Sequence, residues 1–243
     1  MDMILIHGLS GTMTDMEFIA GTLASEGHRV FNVSLPGHGT KPEALLSVSM
    51  QDWIDTVEEQ IHACSRDVFI VGQSMGALLA LYGSVKHPEK VKGIALLSPA
   101  IRLSGRVNRL FMTLLYQYSR VLPIPVLYYT KVNGADIADP AAKKGYSAYN
   151  KIPLKALAEF EHLRRLVRDM LGSVTVPALM VYSTNDHTIA DNAVEIIDRG
   201  IRSTIKKTTV LSGSFHVLSV DRDKERVITA ILGFQRLIKT GVT

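Results

Sequence analysis

The sequence predicts an α/β fold: a mainly parallel sheet covered by helices on both faces, with a helical insertion late in the chain. Three observations predict it. Short apolar runs alternate with amphipathic stretches, the pattern of repeated strand–helix–strand units. The runs are continuously apolar rather than alternating, which suits strands buried on both faces. And about 75 residues with helical patterns separate the run ending at Ser98 from the one starting at Val176, too long a connection between neighbouring strands.

The elements follow in order. Met3–His7 is a β-rich run ending in Gly8. Thr14 and Glu17 have capping-box spacing, and a helix with Met16, Ile19, Ala20 and Leu23 on one face should follow until Gly27 stops it. Val30–Leu35 is the next strand, closed by Pro36-Gly-His-Gly39. Trp53, Val57 and Ile61 recur every four residues and predict a helix from about Met50 to Cys64. Val68–Gly72 is a strand, Met75–Val85 a small-residue helix and Val91–Ser98 another strand. Helical patterns at Val107–Leu122 and Leu154–Leu171, a turn at Pro123-Ile-Pro125 and a break at Asp139-Pro140 fill the insertion. Val176–Ser183, Asp191–Gly200, Lys206–Leu211 and Asp223–Lys239 read as strand, helix, strand, helix. The expected organisation is a core of residues 1–100 and 173–243 with a helical lid over 101–172.

Composition excludes several classes. With 243 residues, 47% apolar and 21% charged, the chain is neither disordered nor fibrous. It can bury roughly three quarters of its unfolded surface without staples. Cys64 is the only cysteine, so no intramolecular disulfide forms, and no Cys/His set has zinc spacing. Met1–Gly8 reads as a strand rather than a signal peptide, and no apolar stretch approaches the length of a membrane span; a soluble cytoplasmic protein is expected. The net charge of +4 is unevenly spread. Ile101–Gly172 carries 12 Lys/Arg against 5 Asp/Glu, net +7, and the remainder 15 against 18, net −3. No basic run with interleaved aromatics marks a nucleic-acid surface. The basic segment is ordinarily a solvated face; weak contact with a membrane or lipid surface is the functional alternative.

The sharpest chemical signal is Gly72-Gln73-Ser74-Met75-Gly76, a G-x-S-x-G between an apolar strand and a small-residue helix. An immediate strand-to-helix turn forces its central residue into a strained conformation, and flanking glycines have no Cβ to collide. Ser74 is the candidate nucleophile. The N–H of Met75 opens a helix, where free N–H groups favour an anion.

A serine nucleophile needs a base, usually a histidine oriented by a carboxylate. Of eight histidines, His216 lies in Ser212–Val217, between the last strand and the last helix, where a loop would deliver a base to the carboxyl edge of the sheet. Asp186, three residues past strand Val176–Ser183, is the candidate acid; its rival Asp191 reads as a helix N-cap. The order Ser…Asp…His is the third of the known triad orders. An oxyanion hole needs two N–H donors. Met75 supplies one, and the loop His7-Gly8-Leu9-Ser10-Gly11 the other, without the motif alone choosing the residue. Gly8-x-x-Gly11 is not a phosphate loop, since no Gly-Lys-Ser/Thr follows. The apolar stretch Leu110–Tyr116 with Tyr118 reads either as packing of the lid or as an acyl slot lined by Leu110, Leu114 and Tyr118.

Taken together these residues resemble the α/β-hydrolase superfamily, most closely its small bacterial carboxylesterases and monoacylglycerol lipases. The likeness rests on His7-Gly8, Leu35-Pro-Gly-His-Gly39, the serine pentapeptide, the Leu-rich helix before Val176-Pro177, Asp186, and Gly213-Ser-Phe-His216 with Val217 to Asp221. It implies a lidded serine esterase, free of metal and cofactor, that cleaves small acyl esters through an acyl-enzyme, with Leu9 and Met75 giving the oxyanion N–H groups. Three features depart from the family pattern. The first run corresponds to the family's third strand, Gln73 replaces a His common before the serine, and Ala77 stands where a second Gly is common. The expected function is hydrolysis of short- to medium-chain acyl esters or monoacylglycerols. Rivals are a C–C hydrolase, amidase, acyltransferase or haloperoxidase on the same fold, or a binding module without turnover.

Overall fold

In a computed structural model, which describes residues 1–240, the chain runs β1 (Asp2–Ile6), α1 (Glu17–Ser25), β2 (Arg29–Val33), α2 (Met50–Ala63), β3 (Val68–Gln73), α3 (Met75–Lys86), β4 (Val91–Leu97), α4 (Arg106–Ser119), β5 (Tyr128–Thr130), α5 (Pro140–Gly145), β6 (Lys151–Pro153), α6 (Leu154–Met170), β7 (Ala178–Ser183), α7 (Ala193–Gly200), β8 (Lys206–Leu211) and α8 (Lys224–Thr240). All six strands expected from the apolar runs form, and they join one sheet in the order β2-β1-β3-β4-β7-β8. Every pairing in it is parallel.

The apolar runs of the central strands are continuous because each of these strands feeds two cores, whereas the edge strand β8 is mostly exposed. Ile4, Ile6 and Ile70 face a core shared with α2, α3 and α6, while Met3, Leu5, Phe69 and Val71 face one closed by α1 and α8. The sheet order reverses at β1, which lies between β2 and β3. Ligands in open α/β sheets bind at such a switch point, outside the carboxyl ends of the strands. Here Ile6 pairs with Gly72, so the loops after β1 and β3 leave the sheet side by side.

Segment 101–172 supplies α4, β5, α5, β6 and α6, and its halves differ. From α6, Phe160, Leu163 and Val167 are buried in the first core, each worth about 1.5–3 kcal/mol. Buried Glu161 accepts from Arg164 Nε at 2.7 Å, and Arg164 Nη1 donates to the carbonyl of Ile101 at 3.0 Å. By contrast α4 buries only Met112 and Leu115. Unforeseen is the antiparallel pair β5–β6; strands of three residues are too short to show a period.

Two capping expectations are corrected. The capping box uses Thr12 and Asp15, not Thr14 and Glu17, because a short 3₁₀ turn precedes α1 and moves the cap two residues upstream. Asp191 is not the cap of α7; Asn192 occupies that position and its side chain makes no capping bond.

Candidate active site

Ser74 stands between β3 and α3 at φ 57° and ψ −109°, a strained conformation rarely held by a non-glycine residue. Close packing of the turn imposes it. A Cβ on Gly72 would strike the carbonyl of Gly76, and one on Gly76 would strike the carbonyl of Ile6. The strain is held by the hydrogen bond from Ser74 N–H to the carbonyl of Leu97, 2.8 Å.

The structure brings Ser74, Asp186 and His216 together from three loops at the carboxyl edge. Ser74 Oγ lies 2.9 Å from His216 Nε2, and His216 Nδ1 lies 2.8 Å from Asp186 Oδ2. The far oxygen of Asp186 accepts the N–H groups of Thr188 at 2.8 Å and Ile189 at 3.0 Å, so this carboxylate is fully engaged. Burial alone would discharge both groups. The charge of each on the other together with their hydrogen bonds outweighs it: the Asp186 pKa is lowered and that of His216 raised. That polarity makes Nδ1 the donor to Asp186 and leaves Nε2 free to accept the serine proton.

The loop after β1 lies against Ser74, and a Cβ on Gly8 would sit 3.2 Å from that of Ser74. Among the described residues neither Leu9 N–H nor Met75 N–H donates to a protein acceptor. His7 fixes this loop. Its Nδ1 donates to the carbonyl of Gly8 at 2.9 Å, and its Nε2 accepts from Leu35 N–H at 3.3 Å. Burial pushes the His7 pKa down to about 4, so the ring is neutral and can perform both roles.

These groups open into a cavity of about 820 Å³ lined by two unlike parts of the chain. One, around α4 and α6, is apolar, with Leu103, Phe111, Met112, Leu157 and Phe160. The other, residues 131–146, is mostly polar, with Lys131, Asn133, Asp136, Lys143 and Tyr146 beside Val132. The expected slot residues are not in the lining. Leu110 and Leu114 are 60% exposed and Tyr118 is 41% exposed. The same helix lines the cavity through other residues: Met112 is buried, Phe111, though 39% exposed, borders the cavity, and Leu110, Leu114 and Tyr118 lie outside it.

Sequence reasoning also missed three supports of His216. Gln73 Nε2 donates to the His216 carbonyl at 3.0 Å. The carbonyl of Asp136 accepts His216 N–H at 3.0 Å. Asp221 accepts the N–H groups of Phe215 at 2.8 Å and Ala138 at 2.8 Å, tying the histidine loop to segment 101–172. No local pattern marks them, since each makes a bond to a residue distant in sequence and acts through backbone groups. His187, next to the candidate acid, points instead to the Asp136 carboxylate at 2.8 Å. Among the described residues no group of three or more His, Cys, Asp or Glu side chains is arranged to hold a metal ion.

Such a site can pass the Ser74 proton to His216 while Asp186 holds the ring, beside two unused N–H donors. Acyl transfer through a serine, on the sheet of the α/β hydrolases, is what this construction performs, and the chain is an enzyme of that class. Residues 2–223 match the family model Hydrolase_4, described as serine aminopeptidase, S33, and the chain belongs to this family. It is similar to the thermostable monoacylglycerol lipase of Bacillus sp. (strain H-257), with 30% identity over 95% of this chain and 88% of that enzyme. Among solved structures, one of the metagenome-derived lipolytic enzymes LipS and LipT superposes with a TM-score of 0.85 at 28% identity, covering 97% of this chain and 93% of that one. The monoacylglycerol lipase of Paleococcus ferrophilus shares the fold, with a TM-score of 0.82 at 18% identity, covering 98% and 93%. With these relatives the chain is an ester hydrolase of the family.

Proposed function

We propose that Ser74, His216 and Asp186 are the catalytic triad of this ester hydrolase, that the N–H groups of Leu9 and Met75 form its oxyanion hole, and that its substrates are short- to medium-chain acyl esters or monoacylglycerols. The observation that carries the reading is the continuous chain of hydrogen bonds from Asp186 through His216 to Ser74, opening into a cavity with one apolar wall. His216 takes the Ser74 proton as Oγ attacks the ester carbonyl, and Leu9 and Met75 N–H groups receive the oxyanion. The imidazolium, stabilised by Asp186, protonates the leaving alcohol. The same ring then activates water to release the acid. The acyl chain lies along Phe111, Met112 and Phe160, at about 0.8 kcal/mol per buried CH₂.

Segment 101–172 is the proposed lid. Its α6 half is anchored by the buried Glu161–Arg164 pair, and its α4 half carries the exposed Val107, Leu110, Leu114 and Tyr118 beside Arg106, Arg109 and Arg120. That face suits weak contact with an anionic lipid surface. No described helix is long and apolar enough to cross a membrane. A cytoplasmic location is part of the same proposal.

The family description names an aminopeptidase, but the site favours esters. An aminopeptidase needs an acceptor for the substrate's α-ammonium, and the Asp136 carboxylate is already taken up by His187 and Thr188. A series of p-nitrophenyl and glycerol monoesters of increasing chain length tests the proposal, with amino-acid p-nitroanilides beside them. Rising kcat/KM over short chains and a plateau at medium length is the expected result; turnover of the anilides alone overturns it.

A further inference from the structure

The polar wall of the cavity carries two ammonium groups that the proposed reaction does not use. Lys131, just beyond β5, is half-buried and lines the cavity. Its Nζ donates to Ser10 Oγ at 2.6 Å; its remaining N–H donors find no acceptor among the described residues. Ser10 is itself buried, at φ 65°, and directly follows Leu9. The Lys131 charge is therefore tethered one residue from a candidate oxyanion donor, close enough for its field to reach His216. Lys143 of α5, an exposed residue, reaches the same part of the lining and also makes no ion pair among the described residues. Tyr146 adds a ring there, its hydroxyl fixed by donation to Asp15 at 2.7 Å.

The wall is not electrically balanced. Its one carboxylate, Asp136, is engaged by His187 Nδ1 and N–H and by Thr188 Oγ1. Asp15 lies behind Tyr146, outside the lining; burial lowers the Lys131 pKa to about 8 and the charge of Asp15 works against that, but no hydrogen bond joins the two. The ammonium therefore keeps donors that an anion in the cavity would satisfy. The acyl chain fits the apolar wall, which leaves the polar wall for the alcohol side of the ester.

We propose that Lys131 and Lys143 form a subsite for an anionic group, a phosphate or carboxylate, on the leaving alcohol, so that the preferred ester is one such as an acylglycerol phosphate rather than a neutral monoacylglycerol. This rests on the reading of the site as an esterase and specifies its substrate class. A phosphate monoester offers acceptor oxygens to both ammonium groups, and charge-assisted bonds of this kind are the strong ones.

The test pairs hydrolysis with binding. Hexanoylglycerol, hexanoylglycerol 3-phosphate and the corresponding phosphocholine ester share one acyl chain and differ in the charge of the alcohol. The expected kcat/KM is roughly tenfold or more higher for the phosphate monoester than for the neutral ester, with the zwitterion between them. Lys131→Met should collapse this ratio, Lys131→Arg should keep most of it, and Lys144→Gln, outside the cavity lining, should leave it intact. Calorimetry with glycerol 3-phosphate, inorganic phosphate and glycerol reads binding without turnover. Glycerol 3-phosphate should bind at least about tenfold more tightly than glycerol, and only while Lys131 is present. Equal kcat/KM for the three esters overturns the proposal, as does a Lys131→Met variant that loses both esters alike, which would make Lys131 a support of the Leu9–Ser10 loop. Inorganic phosphate binding as tightly as glycerol 3-phosphate, without an ester preference, also overturns it and marks a site for the free ion. If glycerol 3-phosphate binds through Lys131 but none of the esters is cleaved, the esterase reading falls and the anion subsite stands.

Discussion

Gln73 Nε2 donates to the carbonyl oxygen of His216 at 3.0 Å, across a separation of 143 residues. The residue preceding the proposed nucleophile thus holds the backbone of the proposed base. The same amide also reaches the carbonyl of Leu97 at 3.4 Å, so one side chain ties β3, β4 and the histidine loop together. Gln73→Leu should leave the His216 carbonyl without its donor, at about 1–3 kcal/mol. The expected result is a fall in kcat with KM little changed, and a melting temperature lower by several degrees. Gln73→His, which retains a ring donor, should recover part of the kcat. A Gln73→Leu enzyme with unaltered kcat would show that the bond does not position His216.

Ser74→Ala should lower ester hydrolysis by about 10⁴- to 10⁶-fold without loss of fold, measured by kcat on p-nitrophenyl butyrate and by circular dichroism. A fluorophosphonate adduct should map by mass spectrometry to Ser74. Ser214, buried and bonded to Asp223 at 3.0 Å, and Ser10, bonded to Lys131, are the serines whose labelling would overturn the assignment.

Asp186→Asn and Asp191→Asn should separate cleanly. The first removes the acceptor that fixes the His216 tautomer, and kcat should drop by about 10⁴-fold. Asp191 is exposed and caps nothing, so its replacement should alter stability by no more than about 0.5 kcal/mol and leave kcat unchanged. Kinetics on both variants decides it.

The pH profile follows from the same pair. Burial works against the His216 imidazolium, but the charge and hydrogen bond of Asp186 prevail, and the pKa is raised from 6.5. A general base must be neutral, so kcat/KM should fall as the pH drops through a midpoint above 6.5. In the residual activity of Asp186→Asn the midpoint should move down. A wild-type acid limb centred well below 6.5 would contradict the pairing.

Phe111→Ala and Leu114→Asp distinguish the inner and outer faces of α4. Phe111 lines the cavity, so its truncation should flatten the preference for medium chains over acetate. Leu114 is 60% exposed, so its charged replacement should weaken association with anionic vesicles and leave hydrolysis of a soluble acetate ester unaltered. Vesicle co-sedimentation and a chain-length series check the two arms.

The six strands, the turn bearing Ser74 and the three loops that meet at it were legible in the sequence. Those features are local: the central strands are continuously apolar, the edge strand β8 follows from the alternation of strands and helices, and a strained strand-to-helix turn admits few residues. Asp186 is preferred over Asp191 for its place three residues past the strand and because Asp191 reads as a helix cap; the second of those reasons does not hold, since Asn192 occupies the cap position. What tertiary structure alone decided lies between elements. Leu110 and Phe111 are adjacent in sequence and equally apolar, and only the packing of α4 on α6 determined which borders the cavity. The capping box shifted to Thr12 and Asp15 because a 3₁₀ turn precedes α1, a geometry that spacing does not encode. Gln73, Asp136 and Asp221 reach His216 and its loop through backbone groups, which every residue carries alike, so no residue pattern marks their partners. Lys131 looked like one more positive charge on a basic segment; its bond to Ser10 arises only when β5 docks beside the loop after β1.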